Sequence, residues 1–297
     1  MKKHPILQLI AIFCLTISTA QAQSVQTGKL LESLQMKSQI LGKEVKYCVY
    51  LPADYATSQR RYPVVYLLHG YSDDETGWVQ FGEANLIADK GIATGEIPPM
   101  IIVMPDAGVT WYVNDYQGKN KYEDMFIKEL IPYVDATYRT RNKREFRAIS
   151  GLSMGGHGAL LYAMHHPELF SVCAAFSSAI YTEDNMATMP EAQYNTFFTD
   201  LFGIKATGKA RLTDSWHKNS PLELAKTLPE DGLKQIQWFM DCGDDDFLYD
   251  GNAMMHVTLR NRNIPHEFRV RDGAHNWTYW RTSLPEGLKF IGQRFHR

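Results

Sequence analysis

Cysteine is scarce in this chain: Cys14, Cys48, Cys173 and Cys242 are the only four among 297 residues. None sit at metal-ligand spacing. The last three lie in apolar, strand-like runs, which favours buried free thiols over a disulfide framework. An excess of one charge is also missing. Lys and Arg number 31 against 33 Asp and Glu, a net charge of -2. There is no basic surplus to grip nucleic acid and no acidic block that would make a tail. Internal repeats and low-complexity tracts are absent. The apolar run from Ile6 to Ile17 is shorter than the roughly 20 residues a spanning helix requires, so no membrane anchor is expected. What remains is 44% hydrophobic and 22% charged, ample for one large core.

The first residues stand apart. Lys2-Lys3-His4 is a short positive region, Ile6 to Ile17 is mostly apolar, and Ala20-Gln21-Ala22 has the A-x-A form of a cleavage site. That is the layout of a secretory signal peptide over residues 1–22. Phe13 before Cys14 argues against a lipoprotein anchor. The expectation is an exported protein, periplasmic or extracellular, with one catalytic domain over residues 23–297.

Downstream, continuous apolar runs alternate with helical spacing. Val45 to Leu51, Pro63 to Leu68, Met100 to Met104, Phe146 to Ile149, Val172 to Phe176, Ile236 to Met240 and His266 to Val270 read as strands. Most would be covered on both faces, as in a parallel sheet. Helices are expected over Ala84 to Lys90, stopped by Gly91, over Tyr122 to Tyr138, kinked or split by Pro132, and over Ala253 to Asn261. The fold class is therefore α/β, with a mostly parallel sheet and helices on both faces. Tyr181 to Lys234 is polar and turn-rich, and reads as an insertion over the carboxyl ends of the strands, where such sheets bind ligands.

The most informative motif is Gly151-Leu152-Ser153-Met154-Gly155, set between a strand and a helix start. This is the context of a nucleophile elbow, in which a serine occupies a sharp turn at the top of a sheet. A serine hydroxyl needs a base, and the base needs an orienting group. In this arrangement the acid and then the histidine follow the serine along the chain. Of His157, His165, His166, His217, His256, His266 and His275, only His275 lies in a loop just after the last strand. His157 should point away from the hydroxyl, and His165-His166 reads as a surface helix end. The acid belongs to Asp241-Cys242-Gly243-Asp244-Asp245-Asp246. Asp246 leads because Phe247-Leu248 could bury its turn; Asp245 is the alternative. The oxyanion donors would be the amides of Met154 and Tyr71, the latter after His69-Gly70. His69 reads as a structural support under that loop. Trp78, Trp111, Tyr112, Trp277, Tyr279 and Trp280 follow strand ends and are candidates to line a substrate site.

With these residues in place, the chain resembles the carbohydrate esterase family 1 and esterase D group of α/β-hydrolases. The resemblance rests on Tyr66 to Gly70, Ala84 to Asp89, Met100 to Asp106, Arg147 to Gly156, Cys242-Gly243 with Asp246, and Gly273 with His275. It implies a Ser153, Asp246, His275 triad and no metal or organic cofactor. It also implies a small ester or an esterified polysaccharide as substrate: feruloyl or acetyl esters of plant cell wall, or else simple short-chain esters. An acyltransferase passing its acyl group to a sugar would use the same triad.

Overall fold

The computed structural model describes residues 27–203 and 206–295; the export signal expected over 1–22 falls outside them. Among the described residues, eight strands make one sheet. They are β1 (Lys29–Lys37), β2 (Glu44–Leu51), β3 (Val64–Leu68), β4 (Ile101–Pro105), β5 (Arg147–Leu152), β6 (Val172–Phe176), β7 (Gln237–Gly243) and β8 (His266–Arg271). Their spatial order is β1-β2-β4-β3-β5-β6-β7-β8. β2 is antiparallel to both neighbours, while β4, β3 and β5 to β8 pair in parallel. This is the α/β-hydrolase arrangement.

Alternation along the strands sorts the core into two layers. Val64, Tyr66 and Leu68 join one cluster, with Ile149, Cys173 and Met240, under the helix Met154–His165 and the helix Tyr249–Asn261. Val65 and Leu67 join the other, with Ala148, Ala174 and Phe239, under Ala84–Ala93 and Trp277–Phe295. The continuous apolar runs thus reflect strands covered on both faces. Cys48, Cys173 and Cys242 are buried free thiols, and burial pushes each of them above its ordinary pKa.

Several elements differ from the sequence reading. β1 was not foreseen: it is a largely exposed edge strand, interrupted by an irregularity between Leu31 and Leu34. The helix from Ala84 runs through Gly91 to Ala93. Pro132 neither breaks nor splits the helical run over 122–137. Instead the turn before it widens to a π-helix at Phe126–Leu130, where the Ile131 N–H donates to the Phe126 carbonyl. A wider turn accommodates a residue that cannot donate to the ladder. The helix Trp277–Phe295 was missed, with Pro285 inside it. The 181–234 stretch is polar, but it folds as short helices rather than turns, including Glu183–Thr188, Glu191–Phe197 and Pro221–Thr227. These bury Met186, Tyr194, Phe198, Phe202 and Trp216. No described helix is long and apolar enough to cross a membrane.

Candidate active site

Ser153 sits between β5 and the helix Met154–His165 with φ 53° and ψ -117°, a region that L-residues rarely adopt. Three backbone bonds hold it there. Its N–H donates to the Phe176 carbonyl at 3.0 Å, and its own carbonyl accepts from Ala179 at 2.9 Å and His157 at 3.0 Å. The flanking glycines are required by close approach. A Cβ on Gly151 would strike the Gly155 backbone, and one on Gly155 would strike the backbone of Leu68 and His69. The elbow motif is thus a packing constraint between β5, β3 and the following helix.

The structure brings His275 and Asp246 to this serine. His275 Nε2 lies 2.9 Å from Ser153 Oγ, in position to accept the hydroxyl proton. Its Nδ1 donates to Asp246, at 3.0 Å from Oδ1 and 2.9 Å from Oδ2. Asp246 is buried, whereas Asp245 is exposed. Burial opposes the charge of Asp246, but the hydrogen bond and positive pull of His275, with the Leu248 N–H at 2.8 Å, outweigh it and hold the carboxyl below its ordinary pKa. The geometry therefore separates the two aspartates. Leu248 closes the turn as expected, but Phe247 does not: it is 75% exposed, its ring 4.6 Å from that of His275. Trp280 flanks the imidazole edge-on at 4.8 Å.

Beneath the acid loop lies a polar cluster the sequence did not reveal. Asp241 is fully buried at the end of β7, paired with Arg271 at 2.6 Å and accepting from Ser283 Oγ at 2.8 Å. It ties β7, β8 and the helix Trp277–Phe295 together directly below the loops carrying Asp246 and His275.

Met154 and Tyr71 both line the cavity in front of Ser153, and neither backbone N–H has an acceptor among the described residues. His69 braces the Tyr71 loop: its Nδ1 donates to the Gly70 carbonyl at 2.7 Å, and its Nε2 accepts from the Ala107 N–H at 2.8 Å.

The cavity encloses about 560 Å³. Of the six aromatic candidates, Trp111, Trp277 and Trp280 line it. Trp78, Tyr112 and Tyr279 do not. Trp78 is 1% exposed and donates its indole N–H to the Leu68 carbonyl at 2.8 Å, supporting the Trp277 ring from below. It follows a strand end in sequence, but the short helix it starts turns it inward. Tyr112 and Tyr279 are likewise buried. Residues missed in sequence are Tyr181, Gln193 and Phe197, which line the cavity from the insertion, and Asp73, whose carboxyl burial holds above its ordinary pKa. Phe197 meets Tyr71 edge-on at 4.8 Å, and Phe198 meets Trp111 at 4.8 Å, so the insertion forms one wall. Trp111 and Tyr112 both have positive φ, 55° and 63°, a second strained segment beside the site. His157 points away from Ser153 Oγ, as expected: it is buried, with Nδ1 donating to the Ala179 carbonyl at 3.2 Å, and burial pushes its pKa down to about 4.

Comparison with known proteins points to esterases. Residues 38–291 match the family model described as "Putative esterase". An esterase of Mycobacterium tuberculosis (strain CDC 1551 / Oshkosh) is 31% identical over 245 residues, which is 76% of this chain and 51% of that protein. An endo-1,4-beta-xylanase/feruloyl esterase of Xylanibacter ruminicola is 35% identical over 175 residues, 55% of this chain and 24% of that protein. The chain thus spans about half the length of the first and a quarter of the second. A solved ferulic acid esterase superposes with a TM-score of 0.79 at 32% identity, covering 91% of this chain and 99% of that one.

Proposed function

This chain belongs to the esterase family whose model it matches, and we propose that within it the protein is a serine hydrolase of carboxylic esters, cleaving hydroxycinnamoyl esters of plant cell-wall polysaccharide. One observation carries the reading: a hydrogen-bonded chain from Ser153 through His275 to Asp246 opens into a cavity walled by aromatic rings.

In this mechanism His275 Nε2 takes the proton as Ser153 Oγ attacks the ester carbonyl. Asp246 holds the Nδ1–H tautomer and stabilises the imidazolium that forms. The amides of Met154 and Tyr71 receive the oxyanion, each such donor being worth about 3 kcal/mol in the transition state. His275 returns the proton to the leaving alcohol, and water repeats the sequence on the acyl-enzyme. No cofactor takes part in these steps.

The walls favour an aromatic acyl group over acetyl. An acetyl group would leave most of the 560 Å³ to water. A hydroxycinnamoyl ring can meet Tyr71, Trp111, Phe197 and Trp277, and edge or offset aromatic contacts are worth about 0.5–1.5 kcal/mol each. The export reading of residues 1–22 adds the compartment, since such polysaccharides lie outside the cell.

Turnover of methyl ferulate, acetylated xylan and a short-chain nitrophenyl ester, measured side by side, tests this. Methyl ferulate should have the highest kcat/KM of the three, and Ser153→Ala should abolish all three activities. Activity confined to the nitrophenyl ester overturns the substrate; undiminished hydrolysis by Ser153→Ala overturns the mechanism. With a sugar acceptor present the product should still be the free acid. An acylated sugar as main product would make the enzyme a transferase.

A further inference from the structure

We propose that Glu123, His165 and His166 form a binding site for one divalent transition-metal ion of the zinc class, at the far end of the helix that begins at Ser153. The three side chains come from two framework elements, the helical run over 122–137 and the end of the helix Met154–His165. They converge on one point. His165 Nδ1 and His166 Nε2 each lie 2.8 Å from the same carboxylate oxygen, Glu123 Oε1.

The direction of the lone pairs singles this cluster out. His165 Nε2 lies 2.9 Å from the Lys218 carbonyl, which can only accept, so Nε2 carries a proton. His166 Nδ1 faces the Glu168 carboxylate at 3.6 Å. In the neutral His165 ring this tautomer turns the Nδ1 lone pair toward Glu123 Oε1, the same point that His166 Nε2 faces. One divalent ion at that point would take the Glu123 oxygen together with the lone pairs of His165 Nδ1 and His166 Nε2, while the outward His165 N–H donates to the Lys218 carbonyl. A metal-ligating histidine commonly has such an outer carbonyl or carboxylate.

Two nitrogens and one carboxylate oxygen suit zinc better than calcium or magnesium, which take oxygen ligands. Tetrahedral zinc places ligand atoms roughly 3.4 Å apart, so the cluster would open by only about half an ångström. Glu123 is buried while the two histidines are partly exposed, so a fourth position for water would open on the histidine side. The negative end of the helix dipole also favours a cation here. The helix spans 12 residues, putting the site about 18 Å from Ser153. Because Lys218 belongs to the insertion, the ion would tie that segment to the elbow helix as a structural staple.

The full chain, dialysed against chelator, is titrated with zinc chloride and followed by calorimetry and thermal unfolding. One ion per chain should bind and raise Tm, with ester turnover unchanged. Co²⁺ should give the visible absorption of a low-coordinate site, which an ion-paired cluster cannot produce. His166→Ala and Glu123→Gln should each weaken binding by more than the roughly 10–100-fold typical of losing an outer partner. His217→Ala and Asp245→Asn, which alter the other two carboxylate clusters, should leave it unchanged. Should either triad variant fail to fold, His166→Gln and the cobalt spectrum of the native chain decide the matter. Zinc binding that is absent, that survives both triad substitutions, or that is lost with His217 overturns the assignment.

Discussion

Asp246→Asn should lower kcat by about four orders of magnitude while leaving the fold intact. The structure says why. The Asp246 carboxylate accepts from His275 Nδ1 with both oxygens and from the Leu248 N–H with Oδ1. An asparagine has one acceptor oxygen, and the buried Leu248 N–H competes for it. The amide NH₂ then faces Nδ1 and selects the tautomer with the proton on Nε2, pointing at Ser153 Oγ. A protonated Nε2 cannot take the serine's proton. Loss of this orienting carboxylate in a Ser–His–Asp triad typically costs about 10⁴ in kcat, or about 5.5 kcal/mol of barrier. Side-chain size is unchanged, so KM should move little. The assay is steady-state hydrolysis of methyl ferulate and a nitrophenyl ester, with circular dichroism to verify folding. Asp245→Asn is the control; its carboxylate is exposed, and activity should stay within about twofold, as for surface substitutions generally. If Asp246→Asn keeps more than a tenth of the activity, or if Asp245→Asn is the variant that collapses, the reasoning fails.

Other outcomes follow from the same contacts. Trp78→Phe removes the hydrogen bond to the Leu68 carbonyl and should cost about 1–2 kcal/mol of stability with KM unchanged; a raised KM at unchanged Tm would return Trp78 to the substrate wall. Gly155→Ala drives a methyl into the Leu68 and His69 backbone and should destabilise by about 3 kcal/mol, seen in urea unfolding; an unchanged midpoint would contradict the packing. His157 is held neutral by burial, its pKa lowered from 6.5 to about 4. Between those pH values the unfolded chain binds the proton that the folded chain refuses, so stability is full above pH 6.5 and falls as pH drops to 4. The loss is about 3 kcal/mol, and His157→Gln should flatten that limb in urea titrations at several pH values. An identical pH profile in the variant would mean that His157 is not held neutral.

Much of the framework was legible because burial on both faces leaves a plain mark. Val64 to Leu68 and Val172 to Phe176 are apolar throughout, and both are strands at nearly the expected bounds. The elbow was legible because its glycines answer backbone-to-backbone contacts that admit no side chain. What the sequence hid has equally physical reasons. β1 lies at an edge, so its exposed positions carry no core pattern. The last helix was masked by Pro285 and by aromatic residues at its start that read as site residues; only Trp277 and Trp280 of those three line the cavity, and Tyr279 packs inward. Tyr181, Gln193 and Phe197 reach the cavity from a segment whose polar composition suggested turns. Which of its side chains face the site depends on how the short helices dock, and no short-range spacing encodes that. Nor did His165-His166 disclose Glu123, which lies 42 residues upstream of His165.

The site divides its demands between rigid and adjustable parts. Ser153 is held in its strained conformation by three backbone bonds, to Phe176 and Ala179 at and just after the end of β6 and to His157 on the following helix. Asp246 and His275 hang from loops after β7 and β8, two strands that pair in parallel from Trp238 with His266 to Gly243 with Arg271. Those loops are steadied by the Asp241–Arg271–Ser283 cluster rather than by the triad itself. Asp241 is fully buried while Arg271 is about a third exposed, so solvent screens the pair in part; losing Arg271 still strands the buried carboxylate, at less than the roughly 3–5 kcal/mol of a wholly buried pair. Arg271→Met should therefore leave Asp241 as an unpaired buried carboxylate, loosen both loops together, and lower kcat although Arg271 lies outside the cavity lining. Asp241→Asn paired with Arg271→Met should recover much of the stability, because no lone charge remains. If the single Arg271→Met variant matches the native enzyme in both kcat and Tm, the cluster does not position the loops, and the 2.9 Å contact between His275 and Ser153 must owe its geometry to the aromatic neighbours of the imidazole instead.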